Sequence, residues 1–180
     1  MGHGTLAQED LANLLRSARV ELVADVRSFP GSRRHPQVNQ EALRAWLGEA
    51  GIAYRWWPAL GGFRRPRPDS PNVGLRNPSF RGYADHMDSD EFDEALRSLL
   101  SEAGPRVTAA MCSESLWWRC HRRLLADAVS LTGAAVVLHL GHDGRLEPHR
   151  LTESAHLEGD RVRYGGQQHL PGSRHSADAG

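Results

Sequence analysis

Val20-Glu21-Leu22-Val23-Ala24-Asp25-Val26-Arg27, followed at once by Ser28-Phe29-Pro30-Gly31-Ser32, decides the fold. The first part is a short apolar run of β-branched and small residues, and the second is turn chemistry. A buried strand that opens into a loop follows. Asp25 stands inside the apolar stretch Leu22–Val26, and Arg27 falls on the same strand face two residues on. A carboxylate there is costly unless paired. Asp25 is therefore either half of an ion pair that fixes the loop or a functional carboxylate at the sheet edge.

Working outward, helical and strand periods alternate. Thr5 with Gln8 forms a capping box before Leu11, Leu14, Leu15 and Ala18, which predicts a helix over 6–18. Asn39 caps a second helix through Leu43, Trp46 and Leu47, stopped by Gly51, and Ile52–Trp56 reads as a second strand. Pro58–Gly82 is rich in proline and glycine, lacks periodicity and reads as one long loop, either functional or disordered. Asp88 with Glu91 caps a third helix ending at Gly104-Pro105, and Val107–Met111 is a third strand running into Cys112. A fourth helix is predicted over 117–131, a fourth strand over 135–140, and a small hairpin about Glu158-Gly159-Asp160. The expected architecture is α/β: a single domain over 1–166, a mostly parallel Rossmann-like sheet with helices on both faces, and a polar disordered tail over 167–180.

With 180 residues, 39% hydrophobic and 24% charged, the chain suits one core. No apolar run approaches the roughly 18–20 residues that span a bilayer. The opening residues carry no basic-then-apolar signal pattern, and two cysteines make no disulfide framework, so the expected location is cytoplasmic. The net charge is zero, yet every basic residue is arginine. Ten arginines from Arg27 to Arg81 face only Glu41, Glu49 and Asp69, a local balance of +7 that the rest of the chain offsets. High-GC coding bias accounts for the arginine usage; the clustering suits a phosphate-rich partner.

Ligands of open parallel sheets sit beyond the carboxyl ends of the strands. That rule selects the Asp25–Ser32 loop, the Trp56–Gly82 loop and Cys112–His121, where the polar chemistry is densest. Arg27, Ser32, Arg33, Arg34, Arg64, Arg65 and Arg122 are candidate phosphate contacts, because guanidinium forks suit phosphate. Tyr54, Trp57, Tyr83 and Trp117 are candidate base-stacking rings. Asp25 and Glu114 are candidate water-positioning carboxylates, with His121 and Cys112 as further catalytic candidates. Cys112 precedes Arg119 by six intervening residues, one more than a phosphatase loop uses. Zinc ligation by Cys112, Cys120, His121 and His139 lacks a recognised ligand spacing, so no metal or cofactor is expected.

Gly2-His3, Asp25-Val26-Arg27-Ser28, Pro30, Ser32-Arg33, Gly51-Ile52-x-Tyr54, Leu60-Gly61-Gly62, Phe80-Arg81-Gly82-Tyr83-Ala84, and Met111-Cys112-x-Glu114 with Cys120-His121-Arg122 together resemble the domain-of-unknown-function 488 family over about residues 2–140. The resemblance implies a compact α/β fold with these motifs gathered at one end of the sheet, and no particular activity. Two departures stand out. Members usually carry a short strand before Gly-His, so an abbreviated sheet edge is expected here. Leu116-Trp117-Trp118 also adds bulk where smaller residues are usual.

These readings favour a DNA-acting hydrolase, an N-glycosylase excising a modified base in repair or in defence against foreign DNA. The alternatives are a thiol-dependent phosphatase or sulfurtransferase using Cys112, and a non-catalytic nucleic-acid or nucleotide module. The expected partner is DNA, with no membrane, and the expected state is a monomer or weak dimer.

Overall fold

The computed structural model describes residues 1–165, so the tail expected over 167–180 lies outside the described residues. Strand β1 (Leu22–Asp25) is wholly buried, as its apolar run requires, and pairs in parallel with two neighbours. On one side Val23 faces Tyr54 of β2 (Ala53–Trp56), and on the other it faces Ala109 of β3 (Thr108–Met111). Side chains alternate across this three-stranded sheet, order β2-β1-β3, and feed two separate cores. Val23 and Met111 pack against Leu11 and Leu15 of helix α1 (Gln8–Ser17) and Leu43 and Leu47 of α2 (Gln40–Glu49). Leu22, Ala24 and Val26 face Tyr83 of α3 (Pro78–His86), Phe92 of α4 (Asp90–Ala103) and Leu124 of α5 (Arg122–Leu131). Helices thus cover both faces.

The sheet is smaller than the Rossmann-like one expected. The predicted fourth strand shrinks to β4 (Leu138–Leu140), which pairs antiparallel with β5 (Leu146–Pro148) outside the parallel sheet. Beside β3 lie residues 1–4 instead. Gly2 bridges Cys112 in parallel, and the His3 and Gly4 amides donate to the carbonyls of Cys112 and Ser113 at 2.9 and 3.0 Å. That edge of the sheet is therefore occupied by the Gly-His segment. The hairpin expected about Glu158-Gly159-Asp160 is present as β6 (Ala155–Glu158) and β7 (Arg161–Tyr164).

Several boundaries depart from the sequence reading for identifiable reasons. Thr5 does not cap α1; the helix starts after Ala7 without a side-chain cap. Ser89 caps α4 through the Phe92 amide, because Asp88 is taken by Arg67 and Arg163. Helix α3 lies within what reads as loop. Asn77 caps it and Pro78 occupies its first turn. Gly82 lets it pack on the Arg64–Arg65 backbone, where a Cβ would sit 2.4 Å from the Arg64 carbonyl oxygen. The rest of that loop is tied down by buried Asp85, which accepts from the Arg67 amide, Ser70 Oγ and Asn72 Nδ2. Burial opposes ionisation of Asp85, but these hydrogen bonds prevail and hold its carboxyl below the ordinary value. The helix expected over 117–131 is broken. A 3-10 turn at Trp117–Arg119 is followed by extended Cys120, and α5 begins only at Arg122.

Asp127 of α5 anchors the C-terminal hairpins from the core. It accepts from the Thr152 amide (2.9 Å) and hydroxyl (2.7 Å), Tyr164 Oη (3.0 Å) and His149 Nε2 (2.9 Å). His149 Nδ1 is then the acceptor for His139 Nε2–H at 2.9 Å. Asp127→Ala leaves these donors unpaired in a buried site and is expected to cost about 3 kcal/mol or more in urea denaturation. A loss under about 1 kcal/mol would contradict this anchoring role.

Candidate functional site

The carboxyl ends of β1 and β3 and the segment after β2 open on one cleft of about 410 Å³. Arg27, Ser28, Phe29 and Ser32 come from the loop after β1, and Gly62 and Phe63 from the segment after β2. Cys112, Ser113, Glu114, Arg119, Cys120 and His121 come from the segment after β3, and His3 from the amino-terminal edge. The cleft thus lies at the rim that the topological rule selects.

Asp25 is not in the cleft. It is 0% exposed and held by Arg27 through Nε (2.8 Å to Oδ1) and Nη2 (2.5 Å to Oδ2), by the Arg27 amide, and by Tyr54 Oη at 2.8 Å. Of the two readings open to it, the ion pair fixing the loop is the one its surroundings match. Arg27 also donates to the Val38 carbonyl (2.9 Å) and to His3 Nε2 (3.2 Å), so it has little capacity left for a phosphate. His3 donates Nδ1–H to the Gly4 carbonyl, which leaves Nε2 as the acceptor. Burial pushes the His3 pKa down to about 4, keeping it neutral beside Arg27. Hydrogen bonding and charge from Asp25 raise the Arg27 pKa against burial. Burial, then the Asp25 charge, raise that of Tyr54.

At the cleft floor, His121 Nε2–H donates to the Val26 carbonyl at 3.0 Å. Its Nδ1 lone pair therefore faces Cys112 Sγ at 4.0 Å and Cys120 Sγ at 3.6 Å. The three ligand-type atoms lie within 4.8 Å of one another. Arg122 Nε donates to Cys120 Sγ at 3.3 Å. The thiols split: a hydrogen bond from Cys112, then the Arg122 charge, lowers Cys120, while Cys112 is raised by the same contact and by burial. The extended residue at 120 brings these sulfurs together. At the rim, exposed Glu114 accepts from the Leu116 amide through Oε1 (3.0 Å), and Oε2 has no hydrogen-bond partner among the described residues.

The remaining expected residues divide. Ser32 lines the cleft and its Oγ accepts from the His35 amide. Arg33, Arg34 and Arg65 are exposed, do not line the cleft and make no salt bridge among the described residues. Arg64 is spent on the Gly61 and Ala59 carbonyls. Arg122 is buried, donating to the Glu114 carbonyl and Cys120, so it is no phosphate contact.

None of the four expected stacking rings faces the cleft. Tyr54 is bound to Asp25, Trp57 is buried with Nε1 on Ser98, and Tyr83 is 0% exposed with its hydroxyl on the Leu60 carbonyl. Trp117 stacks on His139 with ring centroids 3.9 Å apart. Apolar bulk drew these rings into packing. The rings that line the cleft are Phe29, 79% exposed, Phe63, 91% exposed, and half-buried Phe80. An aromatic residue inside a Pro/Gly-rich turn, as in Ser28-Phe29-Pro30-Gly31 and Gly61-Gly62-Phe63, was the available signal. Phe63 also holds φ +62°, a strained conformation for an aromatic residue.

A family model described as domain of unknown function DUF488 matches residues 7–129. No curated protein and no solved structure matches the chain.

Asp25→Asn is expected to cost about 3–5 kcal/mol of stability, because Arg27 stays buried without its counter-charge. A variant denaturing at the wild-type urea concentration would remove the pair from its anchoring role. Acid acts in the same direction. Burial holds His3 at about 4 and His139 at about 3, below the ordinary 6.5. The unfolded chain thus binds more protons on acidification, and stability is lost as pH falls from about 6.5 towards 4. A melting temperature flat over that window would contradict it.

Proposed function

The chain belongs to the domain of unknown function DUF488 family, and since that membership carries no activity with it, we propose from the site that the protein is a DNA-acting hydrolase, an N-glycosylase that excises a modified base. The carrying observation is the cleft itself: about 410 Å³, with the uncommitted Glu114 oxygen and the exposed rings of Phe29 and Phe63 on its walls. Its size suits an extruded base. Strain at Phe63 is of the kind found where a side chain is displayed for a ligand. Arg33, Arg34 and Arg65 are available to phosphates, and Arg119 reaches the lining itself.

In this reading the base leaves its stack and is held against Phe29 or Phe63. Glu114 orients a water and stabilises the cationic sugar. Water oxygen bonds to C1′, the C1′–N bond breaks, and the base departs with the electron pair and takes up a proton from solvent. The proton lost by the water passes to Glu114. Asp25, being buried and paired, has no part in the chemistry.

A second reading, thiol chemistry of the phosphatase or sulfurtransferase kind at Cys112, is favoured by the His121 Nδ1 lone pair facing both sulfurs. Against a phosphate cradle, the Leu116 amide already donates to Glu114.

The test incubates the protein with plain and base-modified duplex DNA, then with alkali to reveal abasic sites. Breaks in modified DNA, reduced about 100-fold or more by Glu114→Gln, are the expected result. Arg33→Ala with Arg34→Ala should weaken DNA binding and flatten its salt dependence. Binding without breaks on any substrate overturns the glycosylase reading. Phosphate release from a small phosphomonoester that survives Glu114→Gln but not Cys112→Ser is the thiol enzyme instead.

A further inference from the structure

We propose that Cys112, Cys120 and His121 form a three-ligand zinc site that keeps its fourth coordination position open to the cleft. The ligand atoms come from the end of β3 and from the two residues before α5, and lie within 4.8 Å of one another. Tetrahedral zinc with Zn–S near 2.3 Å and Zn–N near 2.0–2.1 Å places sulfur and nitrogen about 3.6 Å apart. Cys120 Sγ and His121 Nδ1 stand 3.6 Å apart, and Cys112 Sγ and Nδ1 4.0 Å. Closing the site asks Cys112 Sγ to come roughly 0.4 Å nearer to Nδ1.

The surroundings are arranged for a metal rather than for packing alone. The Val26 carbonyl accepts from His121 Nε2–H, fixing the tautomer whose Nδ1 is free to ligate. Metal-bound cysteines are thiolates, and Arg122 Nε–H points at Cys120 Sγ, where it stabilises negative charge. Any side chain at Gly62 would intrude on the ligating atom, since a Cβ there would lie 2.9 Å from His121 Nδ1. Two thiolates and an imidazole are a ligand set suited to zinc. All three residues line the cleft, so the open position faces the space shared with Glu114 and Phe63. Sites with three protein ligands hold a water or substrate at the fourth position, and zinc lowers the pKa of such a water towards 7. The sites of this cluster do not follow a local ligand-pair spacing because the strand end and the broken helix start meet only in the fold. Metal binding stands independently of the DNA reading, since it is measured without substrate.

The test uses the full chain, reduced, stripped with a chelator and titrated with Zn²⁺ against a chromophoric competitor. Uptake of one zinc per chain is expected. Co²⁺ in its place should give strong four-coordinate visible bands and near-ultraviolet thiolate charge transfer. Cys120→Ser and His121→Ala should weaken zinc affinity at least 10-fold, whereas His156→Ala, distant in sequence and outside the cluster, should not. Should the ligand variants fail to fold, the wild-type cobalt spectrum and release of zinc on mercurial modification of the thiols decide the matter. Absence of stoichiometric uptake by the reduced chain, or a cobalt spectrum without thiolate charge transfer, overturns the proposal. A Cys112–Cys120 disulfide whose reduction restores no zinc uptake overturns it as well.

Discussion

The buried pair of Asp25 and Arg27 is the constraint on which the rest of the molecule depends. A carboxylate at the end of a fully buried central strand can persist only with a counter-charge and filled hydrogen-bonding positions. Arg27 supplies both, and its remaining donors reach Val38 on the way to α2 and His3 at the sheet edge. Tyr54 adds the neighbouring strand through its hydroxyl. One interaction therefore joins three parts of the chain and sets the path of the loop carrying Phe29 and Ser32. Such a pair is weak evidence for net stability, and its worth lies in fixing a single arrangement of the rim.

A second constraint acts from the other side of the cleft. Extended Cys120 interrupts what periodicity alone would make one helix, and it carries its sulfur beside Cys112 and His121. Arg122 then bridges the Cys120 sulfur and the Glu114 backbone carbonyl, so the rim backbone at Glu114 and the floor cluster are held by the same guanidinium. The cleft is thus walled by loops whose positions are set by buried arginines, while other arginines remain at the surface. Of the arginines that line the cleft, Arg27 is neutralised by Asp25, whereas Arg119 is exposed and makes no salt bridge among the described residues.

Much of the fold was legible because the central strand is apolar apart from Asp25 and its flanking helices keep a clear 3.6-residue period. The helix at Pro78–His86 was hidden by Gly82, whose missing side chain reads as a break although it permits close packing on Arg64. The fourth strand was misplaced because an apolar stretch says nothing of its partner, and residues 1–4 had already taken the edge of β3. For the site, the placement rule for parallel sheets located Glu114, Cys112 and His121. It could not tell buried from exposed aromatic residues. Tyr83 and Trp57 are large apolar surfaces that the core claims first, whereas Phe29 and Phe63 are held outside by turns. The Cys-Cys-His grouping has no local sequence signature, since its members meet through tertiary structure.

The central claim is that ligand binds at this one rim, between the Phe29 and Phe63 rings and above His121. Backbone amide shifts of isotopically labelled protein, followed by NMR during titration with a short single-stranded oligonucleotide, test it most directly. The account predicts progressive shifts concentrated at Gly31, Gly62, Phe63, Glu114 and Arg119, with Asp127 and Thr152 unmoved. Shifts confined to the opposite end of the sheet, or none at any concentration, would contradict it.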